Sequence, residues 1–254
     1  MYISTAKIIH PTGNFKIFFL KSIQIIIIKI LNLFLKIFFP KINLKQNEII
    51  ISRAFFSPWK KDLNFKIFYN KIKTYTLLDE PRAYTLWYLI KNLKKEKGTV
   101  LDIGCMMGGS SYLLSKACQK NKVYAFDTFE GFLDRDRNYN KKHFVYMDYN
   151  FVKKTAKFLK LNNLKIIKGY FPLKSFKEKK IKFAHVDVNT FSSTKKTFFY
   201  LKNKIVKNGV IVFDDYGIYG NDNIKKFIDK IYTKNLKYFN FIYNFMGQCI
   251  LIKK

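Results

Sequence analysis

From about Thr74 onward the chain alternates short runs of branched apolar residues with longer segments of helical spacing, and several of those runs end in aspartate. Pro81 to Lys94 places Leu86, Leu89, Ile90 and Leu93 on one helix face, and Gly98 ends it before a short strand over Thr99 to Ile103. Ser110 to Gln119 reads as the next helix, Lys122 to Phe126 as the next strand, and Val152 to Leu161 as a further helix. More strands are expected over Leu164 to Ile167, Phe183 to Val188 and Val210 to Phe213. Alternation of this kind implies right-handed crossovers and a parallel sheet, so the fold class is α/β. The tail breaks the pattern. Tyr238 to Phe245 and Cys249 to Ile252 are strand-like runs separated only by Met246, Gly247 and Gln248, which is hairpin spacing.

The acids at the strand ends are Asp102, Asp127, Asp187 and the pair Asp214 and Asp215. In open α/β sheets ligands bind beyond the carboxyl ends of the strands. A single acid there is an ordinary helix cap, whereas a succession of strand ends points to a site. The segment VLDIGCMMGGSSYLL runs strand, glycine-rich turn, helix. Gly104 permits a tight turn, Gly108 and Gly109 permit close approach at the helix N-terminus, and Ser110 or Ser111 can cap that helix. A dinucleotide site would read G-x-G-x-x-G. Here the spacing is D-x-G-x-x-x-G-G, with an acid inside the strand. A carboxylate such as Asp102 suits S-adenosylmethionine (SAM), which carries a sulfonium and an amino-acid moiety rather than a pyrophosphate; a plain turn in another Rossmann-like protein is the competing reading. Asp127 ends the next strand about two dozen residues on, where a Rossmann-like site places the acid that accepts both ribose hydroxyls.

KFAHVDVNTF presents His185, Asp187 and Asn189 on one strand face, since side chains alternate with period two. GVIVFDDYG then brings Asp214 and Asp215 to the end of the neighbouring strand. Three carboxylates converging at one edge repel one another unless a cation neutralises them. Hard oxygen donors select Mg²⁺, Mn²⁺ or Ca²⁺ over zinc. Such an ion can bind a substrate hydroxyl, lower its pKa and hold its oxygen in line with a methyl donor. Helix capping or pairing with lysine is the alternative for these acids.

Together these segments resemble the macrocin O-methyltransferase (TylF) family, which methylates sugar hydroxyls in natural products. The resemblance rests on VLDIGCMMGGSS, FDTFEGF (Phe126 to Phe132), IIKGYFP (Ile166 to Pro172), AHVDVNTF and GVIVFDDYG, and covers about Thr99 to Gly217. It implies a Rossmann-like class I methyltransferase sheet finished by an antiparallel C-terminal hairpin. It implies SAM across the glycine loop (Asp102, Gly104, Gly108, Gly109, Ser110) and Asp127, and Mg²⁺ or another hard divalent cation at Asp187, Asp214 and Asp215. Asp187 would be the general base, with His185 as the other candidate. One departure stands out: where the family reads D-V-D-L-Y, this chain has Asp187, Val188, Asn189, Thr190 and Phe191. Asn189 keeps an oxygen ligand but no charge. The acceptor pocket is expected from Gly131 to Tyr149 and from residues after Asp215.

Residues 1–73 read as an N-terminal extension and 74–254 as the methyltransferase domain. Phe15 to Phe39 is apolar but punctuated by Lys16, Lys21, Lys29 and Lys36, and its longest uncharged run here, Ser22 to Ile28, falls far short of the ~18 residues of a membrane span. On a helix, Lys21, Ser22, Lys29, Asn32 and Lys36 share one stripe of roughly 100°. That is the pattern of a basic amphipathic helix lying in a membrane interface. The competing expectation is a helix packed on the catalytic domain or on a second subunit of a homo-oligomer. The formal charge of +31 invites a nucleic-acid partner, but only four of the 48 basic residues (Arg53, Arg82, Arg135, Arg137) are arginine, and the lysines are scattered. Nucleic acid is therefore not the expected partner; a small-molecule or glycan hydroxyl acceptor is. Cys105, Cys118 and Cys249 show neither disulfide nor ligand spacing and fit a reducing cytoplasm; on the membrane-interface reading of the N-terminal helix, the enzyme is peripheral on the inner face of the membrane. The alternative functions compatible with the sequence are an RNA methyltransferase and a catalytically inactive SAM-binding module.

Overall fold

The computed structural model describes residues 15–38, 56–132, 148–218 and 222–254, and within them every side chain except those of residues 15–21 and of residue 222. The chain divides into two compact units, residues 1–56 and 57–254. In the first, α1 (Phe15–Phe38) runs through 24 residues that contain no glycine or proline. Ile26, Ile30, Leu33 and Ile37 are exposed along it, as are Lys29 and Lys36. Among the described residues no helix is long and apolar enough to cross a membrane.

The second unit opens with α2 (Pro58–Lys61), α3 (Leu63–Ile72) and α4 (Glu80–Asn92). Asp62 caps α3 by accepting from the Phe65 amide at 3.0 Å, and its other oxygen accepts from the Trp87 indole of α4 at 3.0 Å. Phe65, Phe68, Tyr69 and Ile72 point inward at helical spacing. These residues lie before position 74, so the compact unit begins earlier than the start of the domain drawn from sequence. Then follow β1 (Thr99–Ile103), α5 (Gly109–Ala117), β2 (Val123–Asp127), α6 (Tyr149–Phe158) and β3 (Leu164–Lys168). The chain continues through β4 (Ile181–Val186), α7 (Phe191–Lys202), β5 (Ile205–Phe213), α8 (Asp222–Asn235), β6 (Phe239–Asn244) and β7 (Gln248–Lys253).

The strands form one sheet in the order β3-β2-β1-β4-β5-β7-β6. The first five are parallel, and β7 runs antiparallel between β5 and β6, closing the expected hairpin. Side-chain alternation sorts the core to two faces. Val100, Val123, Phe183 and Val212 meet α3 to α6; Leu101, Phe126, Ala184 and Ile211 meet α7 and α8. Burying each of the larger side chains contributes about 1.5–3 kcal/mol. The chain lays β2 and β3 to one side of β1, then returns to place β4 and β5 on the other. Strand order therefore reverses at the β1–β4 boundary, where a crevice opens beyond the strand ends. In register across that boundary stand Asp102 and His185. β4 stops at Val186, two residues short of expectation, and Asn189 takes a left-handed conformation (φ 54°) outside the strand.

Candidate active site

A cavity of about 360 Å³ lies beyond the carboxyl ends of β1, β2, β4 and β5. Its walls include Tyr75 to Leu78, Arg82, Gly104 to Met106, Asp127, Asp187, Asn189, Asp214 and Asp215. Glycine determines how the walls meet. Gly104 sits at φ 91°, and a Cβ there would lie 1.8 Å from the Asp187 carbonyl oxygen, so only glycine lets the ends of β1 and β4 close together. The Asp187 amide completes that closure by donating to the Ile103 carbonyl at 2.8 Å.

Gly108 and Gly109 serve packing in a different way from the ligand approach expected of them. A Cβ on Gly108 would meet the Tyr112 ring at 2.6 Å, and one on Gly109 would meet the Tyr75 carbonyl oxygen at 2.5 Å. Neither lines the cavity, whereas Gly104 and Ser110 do. Gly109 permits the close approach of the cleft wall at Tyr75 and Thr76 onto the start of α5, and Gly108 that of Tyr112 and Val152.

Asp102 is also placed differently from expectation. It is fully buried and has no face on the cavity. One carboxylate oxygen accepts from the hydroxyls of Ser110 (2.7 Å) and Ser111. The other pairs with His185 Nδ1 at 2.7 Å. Asp102 thus pins α5 to β1 and β4 instead of facing a ligand. Burial pulls the His185 imidazole down, but the bond to Asp102, with the charges of Asp102, Asp214 and Asp187 behind it, pushes it from 6.5 up to about 9. His185 Nε2 is buried without a hydrogen-bond partner. A ring nitrogen of His185 and one carboxylate oxygen each from Asp187 and Asp214 lie within 4.8 Å of one another. His185 itself does not line the cavity, and Asp187 does.

Burial, and then the charges of Asp214 and Asp215, hold the Asp187 carboxyl well above the ordinary carboxylate range. Consecutive strand residues point to opposite faces, yet Asp214 and Asp215 both reach the cavity. The strand has ended at Phe213, and Asp215 adopts φ 60°, which turns its side chain back. Asp214 accepts from Gln248 Nε2 at 2.8 Å through one oxygen and from Arg82 at 2.7 Å through the other. Burial raises its carboxyl, with Asp215 adding to the effect and His185 and Arg82 opposing it. Arg82 also reaches Asp215 at 3.3 Å. Sequence reasoning missed this residue; its one signal was being among four arginines in a lysine-rich chain.

At the other end of the cavity, Asp127 accepts from the amides of Met106 and Phe129, each at 2.8 Å. Burial raises its carboxyl, although those two amides pull it down. An ionised carboxylate has about four acceptor positions, so two remain for hydroxyls of a ligand. Tyr170 and Ser193 add a hydroxyl pair 2.9 Å apart to the lining. Of the expected acceptor segment, Gly131 and Phe132 line the cavity and residues 133–147 lie outside the described residues. Cys105, Cys118 and Cys249 are all buried and unpaired.

Residues 71–237 match the macrocin-O-methyltransferase (TylF) family profile. A search of curated proteins finds no match. Among solved structures, the O-methyltransferase NovP superposes with a TM-score of 0.63 at 16% identity, covering 71% of this chain and 82% of that one. The calicheamicin methyltransferase CalS11 gives 0.56 at 12% identity, covering 81% of this chain and 99% of that one. A putative rRNA methylase from Clostridium thermocellum gives 0.51 at 17% identity, covering 67% and 96%. At these identities the likeness establishes the fold.

Proposed function

Because the chain belongs to the macrocin-O-methyltransferase (TylF) family and is a SAM-dependent O-methyltransferase, we propose that it methylates a hydroxyl of a sugar, as part of a glycan or natural-product precursor, with a hard divalent cation in its site. The observation that carries this reading is the placement of Asp127 and the Asp187–Asp214–Asp215 group in one cavity at the reversal of strand order. NovP and CalS11, whose names denote an O-methyltransferase and a calicheamicin methyltransferase, share the architecture.

The residues fit such a cation. Three carboxylates, the hard oxygen donors such an ion takes, face the cavity, and burial with the charges of Asp214 and Asp215 raises the Asp187 carboxyl, a repulsion that a divalent ion would relieve. Asp187, Asp214 and Asp215 would hold it, and when bound it would supply Lewis-acid polarisation of the acceptor oxygen. Asp127 takes the ribose hydroxyls of SAM, and Gly104 to Met106 carry the loop against which the cofactor lies. Asp187 accepts the acceptor's hydroxyl proton as that oxygen attacks the methyl carbon. The new carbon–oxygen bond forms as the carbon–sulfur bond breaks, and its electron pair returns to sulfur, leaving S-adenosylhomocysteine. Holding the two reactants in line supplies much of the acceleration.

The test is methyl transfer from SAM to a panel of free, nucleotide-linked and lipid-linked sugars, read by mass spectrometry. A methylated sugar product is expected; methylation of RNA and of no sugar would replace this reading with the nucleic-acid one. The exposed apolar arc of α1, edged by Lys29 and Lys36, supports a second element of function, peripheral attachment to an anionic membrane. Flotation with anionic vesicles, weakened by salt, is the expected result, and absence of vesicle binding at low salt would remove it.

A further inference from the structure

We propose that Arg82 is a built-in counter-cation that competes with the divalent metal for Asp214 and Asp215 and couples metal loading to the cleft wall at Tyr75 to Leu78. This inference rests on the metal reading of the acid group given above.

Arg82 lies in the first turn of α4, where a positive side chain is disfavoured by the helix dipole. Its position is set by the acids it reaches. The Arg82 side chain is 13% exposed, and its guanidinium makes four contacts. One terminal nitrogen donates to Asp214 at 2.7 Å and to Asp215 at 3.3 Å. Nε donates to Asp79 at 3.2 Å, and the second terminal nitrogen donates to the Leu77 carbonyl at 3.1 Å. A planar fork can hold these partners at once; a lysine ammonium on a flexible stem cannot.

Two consequences follow from those distances. A divalent ion on the same carboxylates would stand a few ångströms from a fixed positive charge in a poorly solvated place, and like charges at such range repel strongly. Loading the metal must therefore weaken or displace the contacts of Arg82. Displacement would also release the Leu77 carbonyl, and Leu77 sits in the wall that Gly109 packs against through Tyr75 and Thr76. Arg82 thereby keeps the acid group compact without metal and holds the wall in place until metal arrives.

The probe is Mn²⁺ alone, without SAM or acceptor, with free ion measured by electron paramagnetic resonance and folding checked by thermal melting. Arg82→Met is expected to bind Mn²⁺ at least tenfold more tightly than the wild type, and Arg82→Lys, which keeps the charge, to stay within a few-fold of it. In the wild type, Mn²⁺ should speed amide hydrogen exchange at Leu77 to Asp79; in Arg82→Met, exchange there should be fast already and indifferent to metal. Should Arg82→Met fail to fold, Arg82→Gln carries the same expectation, and the wild-type exchange experiment needs no variant. Equal or weaker Mn²⁺ binding by the neutral variants overturns the inference and leaves the metal site standing. Absence of Mn²⁺ binding in folded wild type and variants alike overturns both.

Discussion

Asp102→Ala should unfold this protein more readily than any substitution on the cavity surface. The carboxylate is wholly buried, with one oxygen on the Ser110 and Ser111 hydroxyls and the other on His185 Nδ1 at 2.7 Å. Breaking a buried charged pair by removing one partner costs about 3–5 kcal/mol. Each serine left without its acceptor adds about 1–3 kcal/mol at most, and hydroxyl rotation recovers part of it. A loss of about 4–6 kcal/mol is the expected total. For a domain of this size each kcal/mol moves Tm by about 2–4 °C, so the midpoint should fall by roughly 10–20 °C. Urea denaturation followed by circular dichroism measures it with the slope as a check on two-state behaviour. Asp102→Asn, which keeps the shape and one acceptor oxygen, should lose about half as much. A loss below about 1 kcal/mol for Asp102→Ala would refute the pinning role, and would restore Asp102 to the ligand-facing role that its place in the motif suggested.

Other outcomes follow from the same geometry. Gly109→Ala should cost about 1–3 kcal/mol through overpacking, since its Cβ would press the Tyr75 carbonyl at 2.5 Å; wild-type stability in urea would show that the wall yields freely. Asp127→Ala should weaken SAM binding at least tenfold in calorimetry, because ribose hydroxyl bonds to a charged acceptor are worth about 1.5–3 kcal/mol each, and unchanged affinity would move the ribose elsewhere. With a chelator present, the His185 contribution to stability is full below its unfolded value of 6.5 and lost as pH rises through about 9, because its folded pKa is the higher of the two. Unfolding curves across that window should show the loss in the wild type and not in Asp102→Ala; identical pH profiles would mean that His185 is not charged in the fold.

Much of the parallel sheet and the ends of its strands could be read from residue order alone, because buried strands announce themselves as short apolar runs closed by acids. α7 could not. Its inward face is Ser193, Thr194, Thr197, Phe198 and Leu201, so hydroxyls stand where apolar periodicity would be sought. From sequence α3 belongs with the apolar N-terminus, because hydropathy does not tell a core-facing aromatic from an exposed one. The strand-end acids all fell near the cavity, but spacing is blind to which way a carboxylate turns. Asp127, Asp187, Asp214 and Asp215 face in, while Asp102 faces Ser110, Ser111 and His185. Ser110 and Ser111 read as helix caps by position, and the cap of α5 is Gly108. Arg82 lies 132 residues from Asp214 along the chain, a separation that no local pattern bridges.

Methyl donor and divalent cation are proposed to occupy one cavity, between Asp127 and the Asp187–Asp214–Asp215 group. Nuclear magnetic resonance of SAM carrying a carbon-13 methyl group tests this most directly, with Mn²⁺ as the paramagnetic ion. With the wild type, Mn²⁺ at a stoichiometric level should broaden the methyl resonance of bound SAM strongly, and Asp187→Asn should lose that broadening while still binding SAM. A bound methyl resonance that Mn²⁺ leaves sharp in the wild type, under conditions where Mn²⁺ is bound, would contradict the shared site.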